Sequence, residues 1–180
     1  MTGGACYHCR FVFRAGTPLD DRRFVMNITD ILSPAAVKVP LVNTEKRAAI
    51  DELVDLLAEG GLINDPEALK RVVWEREQQR STGIGDGLAI PHGKIESSQE
   101  LVMAIGLPPE PIDFDALDEQ PVELIVLLAS PPTRTADHIQ ALGKISRIMS
   151  DPDFRSAAYS ATSAETLYQL FREAEKPVAS

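Results

Sequence analysis

Cysteine is scarce: only Cys6 and Cys9 occur among 180 residues, within the string Cys6-Tyr7-His8-Cys9. Two thiolates and one imidazole fall short of the four ligands of a closed zinc site. The strand and helix that follow a thioredoxin-type cysteine pair are missing, so the two read as reduced thiols in a tail. Long apolar runs are lacking too. The longest, residues 124–129, suits a buried strand and is far shorter than the ~18–20 residues that cross a bilayer. The chain's beginning has no apolar stretch of the signal-peptide kind, and Gly3-Gly4-Ala5-Cys6 has none before it that would make it a lipoprotein cleavage site. The expectation is a cytosolic protein without direct membrane insertion. Nor is there an excess of basic charge. A net charge of −9 argues against nucleic acid as a partner, which would require a basic face.

Hydrophobic residues at 44% and charged residues at 25% are those of an ordinary globular chain, and the length fits one domain with an appended tail. Charge divides the two parts. Residues 1–25 hold four arginines and two aspartates, a net of +2, leaving a net of −11 for residues 26–180. Gly16, Pro18 and Asp20-Asp21 read as loop. Residues 1–25 are therefore either an unstructured N-terminal extension or lie upstream of a true start at Met26. The domain is expected over 26–175.

Thr44 is the expected cap of a first helix whose apolar face is Ile50, Leu53, Val54 and Leu57, ended by Gly60-Gly61. Asp65 and Pro66 open a second, with Leu69, Val72 and Val73 facing inward. Three glycines within residues 81–87 predict a loop. Residues 88–90, 101–107 and 122–128 have buried-strand character. A helix over about 137–149 is expected to present Ile139, Leu142, Ile145 and Met149 along one side. A short helix at Asp151-Pro152 running through Phe154 and a last one capped by Ser163 complete the chain. Helices, then strands, then helices predict an α/β domain, a mixed β-sheet flanked by helices.

The chemistry centres on the histidines. With His8 in the tail, His92 and His138 are the imidazoles of the domain. An imidazole with a pKa near ~6.5 keeps a neutral, nucleophilic nitrogen at cytosolic pH, suited to carrying a phosphoryl group. His92 follows the glycine segment and lies between Pro91 and Gly93, a setting that would expose it at a sheet's end, with Gly93 allowing a sharp exit. A structural histidine in a turn fits the local sequence equally well. His138 sits near a helix N-terminus, where free N–H groups favour anions; helping to cap that helix is the simpler reading. Arg76 could neutralise phosphate oxygens, or be a surface arginine paired with Glu75 or Glu77. The glycine segment lacks the lysine and hydroxyl of a P-loop and the dinucleotide-binding spacing, and it leads into a strand, which excludes nucleotide binding.

The run Ser81-Thr82-Gly83-Ile84-Gly85-Asp86-Gly87-Leu88-Ala89-Ile90-Pro91-His92-Gly93-Lys94 closely resembles the active-site signature of enzyme IIA domains of the fructose/mannitol class. These domains belong to the phosphoenolpyruvate-dependent phosphotransferase system, which includes a nitrogen-regulatory paralogue. The run from His138 to Ile148 resembles the family's downstream histidine helix, and residues 112–118 and 121–124 resemble its connecting segment. The similarity covers about residues 26–173. It implies a phosphohistidine carrier, a phosphotransferase component itself transiently phosphorylated on His92 by the histidine phosphocarrier protein HPr or a nitrogen-branch relative. His138 and Arg76 would stabilise the group together with the loop residues Ser81, Thr82, Gly83, Gly85 and Gly87. No cofactor is implied. Two purposes stay open: a nitrogen-regulatory unit acting on target proteins, and a fructose-type unit passing the group to a IIB domain. The glycine-segment wording resembles both subgroups, and with no IIB or IIC segment fused the expectation leans to the regulatory one. A binding module without the chemistry, and a metal-dependent hydrolase built on His92, His138 and Asp137, are weaker alternatives.

Overall fold

The computed structural model describes residues 26–175. The chain runs through α1 (Ile28–Ile31), β1 (Leu32–Lys38), α2 (Lys46–Glu59), α3 (Pro66–Gln79), β2 (Gly83–Gly85), β3 (Leu88–Ala89), β4 (His92–Lys94), β5 (Val102–Gly106), β6 (Leu124–Ser130), α4 (Thr135–Met149), α5 (Pro152–Tyr159) and α6 (Ala164–Ala174). The two continuous apolar runs, β5 and β6, are buried along their whole length and pair antiparallel at the centre of a mixed six-stranded sheet, Met103 opposite Leu128. The strand order is β1-β5-β6-β3-β2, with β4 also on β6. Strands buried on both faces need apolar side chains at every position, and helices flank this sheet accordingly.

The edge strand β1 escaped the sequence reading because Ser33 and Pro34 interrupt its apolar pattern. It runs parallel to β5 with a register shift between Leu32 and Val37, an irregularity that accommodates a proline at a sheet edge. Residues 81–87, expected as loop, contain strand β2 instead. It pairs antiparallel with β3, and that pairing supplies the backbone partners that isolated glycines lack. Asp86 and Gly87 form the two-residue turn between them, both with positive φ (54° and 76°), the requirement that an Asp-Gly pair meets at a tight hairpin.

Strands β3 and β4 follow the same side of β6, both parallel to it: Leu88 lies opposite Leu124, and His92 opposite Leu128. Between them the ladder is broken at Ile90-Pro91. The Ile90 N–H turns away to the Thr82 carbonyl, and Pro91 has no N–H to give. Gly93 does not make a sharp exit as expected; it lies inside β4. A Cβ there would stand 3.0 Å from Val73 and 3.1 Å from Val72, so its absence lets α3 seat against the strand.

Helix α2 starts one residue later than expected, with Glu45 rather than Thr44 at its cap, and ends at Gly60 and Gly61 (φ 67°). In α3, Asp65 caps by accepting the Ala68 N–H, as expected. Helix α4 begins at Thr135, two residues early, and α5 extends to Tyr159. The expected apolar side of α4 is rotated: Ile139 is 64% exposed, while His138, Ala141, Ile145 and Met149 are buried. At the far end of the domain Glu175 accepts the N–H groups of Ile28 and Thr29 and pairs with Lys144, tying α6 to the start of the described chain.

Candidate functional site

His92 opens β4 immediately after the break at Ile90-Pro91, so its ring leaves the sheet half-buried instead of joining the core. Its Nδ1 lies 2.8 Å from the Ile90 carbonyl. A carbonyl oxygen only accepts, so Nδ1 must carry the proton, and Nε2 is left with a free lone pair. The ring is set by the interruption that a short strand followed by proline creates.

His138 stands at the end of the first turn of α4, only 4% exposed, with Nδ1 2.8 Å from the Ser130 hydroxyl at the tip of β6. The two histidine rings meet edge to face, their centroids 5.4 Å apart at 61°. Burial pushes the His138 pKa down to about 4, with His92 and Lys94 adding to the effect. Burial also lowers the His92 pKa; Arg76 and Lys94 reinforce the shift, while the Ile90 bond and Glu77 oppose it. Both imidazoles are therefore neutral near pH 7.

A cleft of about 240 Å³ opens in front of His92, with Arg76, Arg80, Ser81 and Thr82 on its polar side and Ile84, Leu117 and Leu142 on its apolar side. Arg76 does not pair with Glu75 or Glu77; its Nη1 donates to the Arg80 carbonyl at 2.9 Å. That contact holds the guanidinium at the end of α3, in the wall of the cleft. A larger hollow of about 510 Å³, lined by Lys38, Asn43 and Glu52 among others, contains no histidine.

The loop residues divide by position. Ser81 and Thr82 line the cleft, but their hydroxyls are engaged: Ser81 donates to the Phe114 carbonyl and Thr82 to Glu77. Gly83 is buried against Ala116, where a Cβ would come within 2.8 Å of the Ala116 Cβ. Gly85 and Gly87 shape the hairpin turn beyond, and Tyr159 covers Gly87 and donates to the Asp86 carbonyl at 2.6 Å.

Sequence reasoning missed the groups that hold this loop. Glu77 turns inward from α3, its side chain 1% exposed, accepts the Thr82 N–H and hydroxyl, and pairs with Lys46 at 2.8 Å. Lys46 in turn donates to the Phe114 carbonyl at 2.7 Å. The signal was present in part, since Glu77 continues the four-residue spacing of the buried Leu69 and Val73. Nothing in the sequence marked Lys46 as its partner.

Cys6, His8 and Cys9 lie outside the described residues. Among the described residues no three His, Cys, Asp or Glu side chains gather as a metal site, and Asp137 lies 3.8 Å from Arg134 in an ion pair. No helix there is long and apolar enough to cross a membrane.

The chain is 34% identical over 145 residues to a nitrogen regulatory protein of Bradyrhizobium diazoefficiens, covering 81% of this chain and 94% of that one. It is 32% identical over 151 residues to the fructose-specific EIIABC component of Bacillus subtilis, covering 84% of this chain but only 24% of that much longer protein. Among solved structures, the nitrogen regulatory protein IIA-Ntr of Neisseria meningitidis superposes with a TM-score of 0.73 at 28% identity, covering 80% of this chain and 98% of that one. The mannitol enzyme IIA of Escherichia coli, in complex with phosphorylated enzyme IIB, shares the fold at 19% identity, with a TM-score of 0.68 and coverage of 79% and 99%. Residues 30–174 match the family described as "Phosphoenolpyruvate-dependent sugar phosphotransferase system, EIIA 2", and the chain belongs to that family.

Proposed function

We propose that the protein is a phosphohistidine carrier that accepts a phosphoryl group on Nε2 of His92 from an HPr-like phosphocarrier protein, and that it works in the cytosol in a nitrogen-regulatory role. The observation that carries the reading is the Ile90 carbonyl at Nδ1, which leaves Nε2 as a lone-pair nucleophile at a cleft walled by Arg76. In the transfer, the bond from Nε2 to phosphorus forms as the bond from phosphorus to the donor histidine's nitrogen breaks, and that nitrogen keeps the electron pair. The proton of His92 stays on Nδ1, donated to the Ile90 carbonyl throughout, so the step needs no proton transfer. Positioning and charge stabilisation are then the protein's whole contribution. Arg76 supplies a permanent positive charge, and His138 a neutral hydrogen-bonding edge. Ser81, Thr82, Gly83, Gly85 and Gly87 act as the scaffold that brings loop N–H groups and the cleft wall into place.

Transfer between two histidines requires two proteins to meet at this face. Among the described residues four large apolar side chains are strongly exposed, and two of them, Ile84 and Leu117, line the cleft, while a third, Ile139, follows His138 in α4. A solvent-exposed apolar rim around a polar centre suits reversible docking. The same face would serve the next recipient. The match to the Bradyrhizobium regulatory protein over 94% of its length supports target proteins in that role. The match to the Bacillus fructose component supports a IIB domain as the alternative. Residues 26–175 are taken as the functional unit, with 1–25 either an accessory extension or upstream of a start at Met26.

The test is phosphotransfer from phosphoenolpyruvate through enzyme I and HPr, read by intact mass. Wild type should gain one acid-labile phosphoryl group and His92→Ala none; full labelling of His92→Ala would refute the assignment. Offering the charged protein a fructose-type IIB domain separates the two roles, since rapid onward transfer would contradict the regulatory one.

A further inference from the structure

We propose that Ser130 is a positioning residue that sets the tautomer of His138: its hydroxyl donates to Nδ1, so the proton of the neutral ring sits on Nε2 and is available to an oxygen of the phosphoryl group. The inference rests on the carrier reading above.

Ser130 ends β6 with no exposed surface, and its Oγ lies 2.8 Å from His138 Nδ1. That is its only side-chain hydrogen bond among the described residues. The direction of the bond follows from counting protons. If Nδ1–H donated to Oγ, the serine proton would be left in a sealed site without an acceptor, at the full desolvation penalty of a buried hydroxyl. If Oγ–H donates to Nδ1, both groups are satisfied, and the ring's single proton must be on Nε2. The ring has only one proton because burial holds its pKa near about 4, and the Lys94 ammonium, 2.9 Å from Thr135 on the same helix turn, opposes a second.

The two histidines are thereby fixed in opposite forms by different partners. The Ile90 carbonyl puts the proton of His92 on Nδ1 and bares Nε2 as the nucleophile. The Ser130 hydroxyl does the reverse to His138, making its Nε2 a donor without adding charge. A bare Nε2 on His138 would instead point a lone pair toward an anionic group. The sheet prepares both rings from neighbouring strands, since Lys94 of β4 lies opposite Ser130 of β6, two residues along from His92.

Long-range proton–nitrogen correlation NMR on the uniformly ¹⁵N-labelled full chain at pH 7 reads both tautomers directly. The expected pattern is a protonated Nε2 on His138 and a protonated Nδ1 on His92. A protonated Nδ1 on His138 overturns the proposal. In Ser130→Ala the His138 signal should shift to the other tautomer or a mixture, and phosphoryl acceptance should slow about tenfold or more, the scale of one lost hydrogen bond to a charged group. Ser130→Thr, which keeps the hydroxyl, should restore both. An unchanged His138 tautomer and rate in Ser130→Ala would show that Ser130 only fills space. If wild type takes no phosphoryl group at all, the carrier reading fails, and the NMR pattern alone still decides the tautomer.

Discussion

Lys46→Met should destabilise the protein more than any ordinary change of a helix-end lysine. The substitution keeps most of the aliphatic stem and removes the one cation paired with Glu77 among the described residues, where the Glu77 side chain is 1% exposed. Breaking a buried ion pair from one side typically costs about 3–5 kcal/mol, because the other charge stays buried and uncompensated. The lower end applies here, for two reasons. The Lys46 side chain is 17% exposed, and Thr82 continues to donate its N–H and hydroxyl to the carboxylate. A loss of about 3 kcal/mol is a large part of the 5–15 kcal/mol that typically holds such a domain together. Urea unfolding should show a lower midpoint with an unchanged slope, and the melting temperature should fall by roughly 6–12 °C. Because Glu77 anchors Thr82 in the cleft wall, phosphoryl acceptance by the folded variant should also slow. A stability loss under about 1 kcal/mol would refute the reasoning, since that is the scale of an exposed pair.

Two glycines give opposed expectations. Gly83→Ala would drive a Cβ to 2.8 Å from the Ala116 Cβ and 3.0 Å from its Cα, and should cost about 1–3 kcal/mol in denaturant unfolding. Gly143→Ala, in the interior of α4 with nothing within 4 Å, should add about 0.5–1 kcal/mol. Acid should weaken the fold in two windows. His138 has a folded pKa near about 4 against 6.5 unfolded, so below pH 6.5 the unfolded chain binds a proton that the native one refuses. Its contribution, on the order of 3 kcal/mol, is lost as pH falls from 6.5 to 4, and His138→Gln should flatten that limb of the stability curve. Glu52 follows lower down. Burial alone would raise its pKa, but Lys38 and the Val42 and Asn43 hydrogen bonds outweigh it and bring it to about 2, so its share is lost between pH 4.5 and 2 and should persist in His138→Gln.

The parts of this fold legible in the sequence are those where one local pattern decides. The four inward residues of α2 and the Asp65-Pro66 start of α3 needed only periodicity and capping. So did the strands β5 and β6, where apolar residues run without interruption. What was missed depends on tertiary partners. Strand β1 carries a proline tolerated only because it lies at an edge, and β2 is a strand only because β3 pairs with it. Ile139 reads as core on any helical wheel of α4, yet His138 takes the inward place and Ile139 the solvent. At the candidate site, His92, His138 and Arg76, which the structure brings near one another, were singled out through the motifs. The Glu77–Lys46 anchor and the Ser130 contact join residues from separate elements, which spacing along the chain does not reveal.

The central claim is that the Ile90 carbonyl leaves one particular nitrogen of one particular histidine free to carry phosphorus. Phosphorus–nitrogen coupling on the ¹⁵N-labelled protein, charged through enzyme I and HPr, tests it most directly. The account predicts a single phosphorus coupled to Nε2 of His92, with Nδ1 still protonated; phosphorus on Nδ1 of His92, on His138 or on any other residue would contradict it.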